Sequence, residues 1–252
     1  MADMSSDGRR IVGTGNLQAV LWDDSRGIVE LGDLRDLTPG EQPWSFGAGI
    51  SADGSVLVGK ARNEFDQFEA FRWSAESGMV GLGTLLAPGA PGAYSEASKV
   101  SADGSTIVGW TSGDLGMTPF IWTEAAGMMP VGTLAGFQGP PAHLDFEFEM
   151  DVSGDGSIVV GTGFATEGAF IFSRAIGLQS LEGYLSIRGL DLGGWHLISA
   201  SGISEDGRIV VGTGTNPAGV FEGYLVIIPE PATAVLAMLG LAILSRYRRA
   251  TE

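Results

Sequence analysis

At 252 residues, with 44% hydrophobic and 17% charged side chains, the chain has material for one sizeable core, and its 40 glycines and 11 prolines suit frequent turns better than long helices. A formal net charge of −16 argues against a nucleic-acid partner, which requires a clustered positive surface, and leaves cations, basic surfaces or neutral glycans. The lack of cysteine excludes disulfides, thiolate metal sites and a cysteine nucleophile, and no cofactor motif is present.

The N-terminus, MADMSSDGRR, offers no charged start followed by an apolar run and a cleavage site, so no signal peptide is visible. It runs directly into Ser5 to Gly13, SSDGRRIVG, the first of five versions of one stretch. The others are SADGSVLVG from Ser51, SADGSTIVG from Ser101, SGDGSIVVG from Ser153 and SEDGRIVVG from Ser204. Asp7, Asp53, Asp103, Asp155 and Asp206 are separated by 46, 50, 52 and 51 residues, a period that belongs to solenoids, propellers or arrays. Serine and aspartate oxygens can cap backbone N–H groups, and the glycine after the aspartate can take the positive φ that closes a short hairpin. The alternating apolar residues that follow then read as a half-buried strand. A competing reading makes these aspartates calcium ligands, although one carboxylate per turn falls short of the roughly 6–8 oxygens that the ion prefers.

Each period continues with an aromatic strand and a further strand after a glycine. These are QAVLWDDSRGIVELGDL (18–34), EAFRWS with GMVGLGTL (69–74 and 78–85), TPFIWTEAAGMMPVGTL (118–134) and GAFIFSRAIGLQSLEGYL (168–185). A fourth apolar segment precedes most of the turns, at Trp44 to Ile50, Glu96 to Val100 and Ile198 to Ile203. Four strands per period predict an all-β fold, a β-propeller of about five repeats over residues 1–228. The first repeat lacks a segment before Ser5 and the fifth lacks a final strand, giving 18 strands against 20 for five full blades. Such a chain closes with defects or lacks upstream sequence; the expectation is the latter, since one missing N-terminal segment would account for both the shortfall and the missing signal peptide. Trp22, Trp73, Trp122 and Phe172 hold equivalent places and are expected to pack between sheets; exposed, they would be platforms for sugar rings.

Between the repeats, LAPGAPGAY (86–94) and AGFQGPPA (135–142) read as surface loops. Beyond the second, Asp145, Glu147, Glu149 and Asp151 alternate with apolar residues, so a strand would carry all four carboxylates on one face. Pairs about 7 Å apart could hold a divalent cation, or form a solvated acidic face. His143 and His196 have no partner motif for zinc or for a nucleophile triad.

From Pro229 the composition changes. Pro229, Glu230 and Pro231 precede an uncharged apolar run from Ala232 to Leu244 and a basic cluster of Arg246, Arg248 and Arg249. As a helix the run covers about 20 Å, short of the roughly 30 Å hydrocarbon core, so flanking residues must extend it. The arginines would lie on the cytoplasmic side, with the repeats outside.

This tail resembles the PEP-CTERM sorting signal of exopolysaccharide-making Gram-negative bacteria, and the repeats resemble HAF-type extracellular repeats, with the pattern SxDGSxIVG, AFxWT and GMxxLGxL. AFRWS at Ala70 to Ser74 and PFIWT at Pro119 to Thr123 follow that pattern, and Phe172 departs from it. The first resemblance implies recognition of Pro229, Glu230 and Pro231 by a membrane-bound exosortase, transient anchoring through the tail helix, and release to the cell surface or matrix. No activity comes with the second. The resulting expectation is an exported, non-enzymatic structural or polysaccharide-binding protein; the alternatives are a propeller-type glycoside hydrolase and a calcium-dependent adhesive module.

Overall fold

The structure, a computed structural model, describes residues 2–113, 116–132, 149–163 and 168–229. Each repeat forms one antiparallel sheet whose strands follow one another in chain order. The first contains β1 (Asp3–Met4), β2 (Arg10–Gly15), β3 (Gln18–Asp23) and β4 (Gly27–Glu30). The second contains β5 (Ser45–Ile50), β6 (Leu57–Arg62), β7 (Phe68–Ser74) and β8 (Gly78–Gly81). The third has β9 (Ser95–Val100), β10 (Thr106–Gly113), β11 (Gly116–Thr123) and β12 (Gly127–Pro130). The fourth has β13 (Met150–Val152), β14 (Val159–Thr162), β15 (Ala169–Ser173) and β16 (Gly177–Ser180), and the fifth has β17 (His196–Ile203), β18 (Ile209–Thr215) and β19 (Phe221–Ile227).

Two expectations need correction. The first sheet does have a fourth strand, because Asp3 and Met4 pair with Val12 and Ile11. The segment is too short to show a pattern, and the Lys99 ammonium, 2.9 Å from Asp3 Oδ2, holds it from another sheet. In the fourth repeat the last strand ends at Ser180 and a helix, α1 (Leu181–Ile187), replaces its expected continuation to Leu185. The Ser180 hydroxyl caps the Gly183 N–H, Glu182 sits in the first turn, and Leu181, Tyr184 and Leu185 at helical spacing are buried.

The repeated turn has the expected chemistry. Ser51 Oγ donates to Asp53 Oδ1 at 2.7 Å and accepts from the Val56 N–H at 3.0 Å, while the Ser55 N–H donates to Asp53 Oδ1 at 2.9 Å. Gly54 has φ 70°, and its equivalents Gly8, Gly104, Gly156 and Gly207 lie between 70° and 72°. These bonds hold the carboxylates below their usual range: the Ser51 hydroxyl and then the Ser55 N–H act on Asp53, the Ser157 N–H and then the Ser153 hydroxyl on Asp155. The aspartate oxygens are thus engaged by the turn itself. Among the described residues no group of three or more acidic or histidine side chains is gathered to hold a metal. Successive turns are also tied together, Ser6 N–H to Ala52 O at 2.9 Å, Ala52 N–H to Ala102 O at 3.0 Å and Gly154 N–H to Glu205 O at 2.9 Å.

Packing between sheets follows one rule set by strand alternation. Of the two residues before the glycine that ends each motif, the second faces the following sheet and the first faces the preceding one. Val12 therefore meets Leu57, Val58 meets Ile107, Val108 meets Val159 and Val160 meets Val210, each pair within one buried cluster. Phe71, Phe120 and Phe170, all fully buried, fill the same junctions from the third strands. Trp73, Trp122 and Phe172 pack half-buried against these clusters, as expected, but their equivalent Trp22 is exposed. The inner strands β1, β5, β9, β13 and β17 lie side by side, with Lys99 reaching Asp3 and the Ile203 N–H reaching Asp151 Oδ2 at 2.9 Å.

Pro229 is the last described residue, and its carbonyl accepts from Arg188 Nη1 at 3.1 Å. Glu230, Pro231, the apolar run 232–244 and Arg246, Arg248 and Arg249 lie outside the described residues. Among the described residues no helix is long and apolar enough to cross a membrane.

Candidate ligand-binding site

Aromatic and charged side chains converge where the second and third sheets meet, at the rim opposite the repeated turns. The strand directions put them there: β5 and β9 begin at this rim, β6 ends at it and β7 begins at it. Trp44 comes from just before β5 and Phe46 from its start, Lys60 and Arg62 from the end of β6, Phe68 from β7, Tyr94 from just before β9 and Glu96 from its start. Phe46 is the register partner of Lys60, and Arg62 of Phe68, so these four side chains share the sheet face that meets β9. Lower on that face, Val58 and Ala70 are buried core.

Phe68 is the hub of the ring contacts. Its centroid lies 6.0 Å from Trp44, 5.8 Å from Phe46 and 6.5 Å from Tyr94, with Trp44 and Tyr94 edge-on. The Lys60 ammonium sits 5.5–5.7 Å from the centroids of Phe46, Phe68 and Tyr94, and the Arg62 guanidinium lies 4.0 Å from that of Trp44. Each such contact is worth about 0.5–1 kcal/mol where water has access. Lys60 Nζ also pairs with Glu96 Oε2 at 2.5 Å and donates to the Tyr94 hydroxyl at 3.0 Å. Tyr94 in turn donates to Glu96; burial, and then the Glu96 charge, raise its pKa, so it stays a neutral donor.

Arg62 ion-pairs with Asp66, which Arg35 also approaches at 3.6 Å. Arg35 is fixed by Asp33 at 2.7 Å, and the same Asp33 oxygen accepts from the Trp44 N–H at 3.0 Å. The tryptophan is thus positioned by its backbone as well as by Arg62. In the connection between β6 and β7, Phe65 lies against Gly89 of the 86–94 loop, where an added Cβ would come within 2.9 Å of its ring. Trp44 is the exposed ring of the cluster, and Phe65 is a second exposed ring in the connection that follows β6. Among the described residues, Arg62 Nε at the end of β6 and Gln67 Oε1 in the connection that follows are a buried donor and a buried acceptor with no hydrogen-bond partner. Hollows of about 620 Å³ beside Glu182 and Trp195, and about 690 Å³ between Ile121, Phe172 and Tyr184, lie elsewhere. The rim is the better candidate because its polar groups converge around exposed ring faces.

The sequence did not single out this cluster. Its members come from two repeats, with Trp44 and Tyr94 at equivalent places just before β5 and β9, and one signal was available. The residue after the motif glycine is Thr14, Lys60, Trp110, Thr162 and Thr213, and Lys60 is one of only two lysines in the chain. The other, Lys99, makes the inner ion pair with Asp3.

The acidic strand comes out differently. Asp145 and Glu147 lie outside the described residues, Glu149 is exposed just before β13, and Asp151 is mostly buried on β13. Burial, opposed by the Ile203 N–H, raises the Asp151 pKa, and its bonded oxygen serves the sheet-to-sheet contact. His143 is outside the described residues, while His196, exposed on β17, has Nδ1 3.8 Å from Glu182 Oε1.

No protein-family model and no curated protein matches the chain. Among solved structures, TolB from Acinetobacter baumannii superposes with a TM-score of 0.53 at 13% identity, covering 89% of this chain and 53% of TolB. Prolyl oligopeptidase B from Galerina marginata gives a TM-score of 0.52 at 9% identity, covering 90% of this chain and 32% of that one. The β-propeller domain of Myceliophteria thermophila Cps50 (Swd1) gives 0.43 at 9% identity, covering 90% and 83%. The chain therefore spans about half of the TolB that it matches. At such identities the likeness concerns the fold alone, and together with five sheets in sequence it supports a β-propeller.

Proposed function

We propose that this chain is an exported, non-enzymatic protein of the cell surface or extracellular matrix, in which a five-bladed propeller holds polysaccharide at the rim between the second and third sheets. The observation that carries the reading is the exposed ring of Trp44, held by the Arg62 guanidinium 4.0 Å from its centroid at the edge of a cluster of polar and aromatic groups. A sugar presents an apolar ring face and hydroxyls that both donate and accept, which is the complement of that arrangement. The net charge of −16 fits a neutral glycan better than a strongly acidic one, since the basic groups at the rim are already paired with Asp33, Asp66 and Glu96.

The tail completes the proposal through its resemblance to PEP-CTERM signals. An exosortase-type enzyme reads Pro229, Glu230 and Pro231, and the segment with Arg246, Arg248 and Arg249 anchors the chain in the membrane until it is processed. In an array of neutral and charged polysaccharides, the purified chain is expected to retain one neutral class, and Trp44→Ala to lose at least tenfold in affinity with an unchanged melting temperature. Retention unaffected by Trp44→Ala and Phe65→Ala, or release of shortened sugars during incubation, would refute the proposal.

A further inference from the structure

Among the described residues, the packing rule that joins the five sheets leaves two faces uncovered, and they are the two halves of one more junction. Toward the following sheet, Val12, Val58, Val108 and Val160 are fully buried, whereas the equivalent Val211 of the fifth sheet is 39% exposed. On the third strands Leu21, Ile121 and Ile171 are buried on that side, but Leu225 is 63% exposed, and Ile209 and Ile227 beside it are exposed too. The first sheet shows the mirror case. Toward the preceding sheet, Trp73 with Met79, Trp122 with Met128 and Phe172 with Leu178 pack into the junction clusters. Their equivalents Trp22 and Ile28 are 41% and 70% exposed.

We infer that the fifth sheet of one chain docks on the first sheet of a second copy, repeating between molecules the junction that the chain makes four times within itself. The two faces differ from each other, each has the side-chain sizes that the other's position requires, and every copy displays both. A second copy therefore supplies a complement already tested at Val12–Leu57, Val58–Ile107, Val108–Val159 and Val160–Val210, with Val211 and Leu225 meeting Ile11 and Trp22 as the next in the series. The first sheet is held in place by its packing on the second and by the ion pair from Asp3 to Lys99. Its free face remains available to a neighbour. Contact between unlike faces is head-to-tail, and it builds a ring or an open chain of copies, unlike a symmetric pair that buries the same face twice. This inference is independent of the polysaccharide reading.

Sedimentation of the full chain over a range of concentrations tests it, in about 0.15 M salt or more so that the like net charges are screened. Ile28→Glu blocks one face and Leu225→Glu the other, and both positions are exposed, so each variant should fold, as a thermal melt verifies. The wild type is expected to associate, and each variant alone to remain monomeric. An equimolar mixture of the two should form a species of two chains that grows no further, because one intact junction survives. A wild type monomeric throughout overturns the inference, as does association that persists in both variants or a Leu225→Glu, Ile28→Glu mixture that stays monomeric.

Discussion

Phe71→Ala is expected to lower the unfolding free energy by about 3–5 kcal/mol, the range for removing a buried aromatic side chain. Phe71 is fully buried between the first two sheets, against Val12, Leu21, Ile50 and Leu57. A phenylalanine buries roughly 150–250 Å², which at about 25 cal/mol per Å² gives an upper bound of about 4–6 kcal/mol, and the vacated space adds a cavity cost. The wall opposite belongs to another sheet and cannot collapse without pulling the junction apart. Phe65→Ala, at an exposed ring, serves as the control and should change stability by less than about 1 kcal/mol. Urea unfolding of both variants decides the matter; equal costs would mean that the junction does not bear the stability assigned to it.

The second large effect concerns the glycine that ends the repeated motif. In the second, third and fifth sheets the first strand runs so close to the following strand that a side chain at this glycine has no room. At Gly109 an added Cβ would stand 2.0 Å from the Glu96 carbonyl oxygen and 2.8 Å from Ala97 Cα, where the register of β9 and β10 shifts. Both obstacles are backbone, so relief requires parting two paired strands. Gly109→Ala should therefore cost at least the roughly 1–3 kcal/mol usual for overpacking. The equivalent Gly13 meets nothing nearer than the Ala2 side chain at 3.8 Å. There the substitution should be neutral or raise stability by up to about 1 kcal/mol, since alanine restricts the unfolded chain. Similar losses at the two positions would refute the close-approach explanation of the motif.

The turns and the number of sheets were legible because their causes are local. Ser51, Asp53, Gly54 and Ser55 satisfy one another within a few residues, and the same chemistry recurs five times. The role of the motif's final glycine was hidden, since it depends on a strand about a dozen residues earlier. Strand β1 and helix α1 were missed for opposite reasons: two residues carry no period, and Ser180 turns an apparent strand into a helix by capping it. The rim cluster required the fold, because Trp44, Lys60, Phe68 and Tyr94 span half a hundred residues and meet only when two repeats stack. Of the acidic strand, only Glu149 and Asp151 fall among the described residues, and the second is turned to structural use.

Hydrogen exchange of the full chain with and without the polysaccharide it retains best tests the proposed function and its location at once. The expected result is slowed exchange confined to residues 44–46, 60–68 and 94–96, with the repeated turns at the other rim unchanged. Protection centred instead on the turns, on the inner strands or on α1 would contradict the assignment of the site to the junction of the second and third sheets.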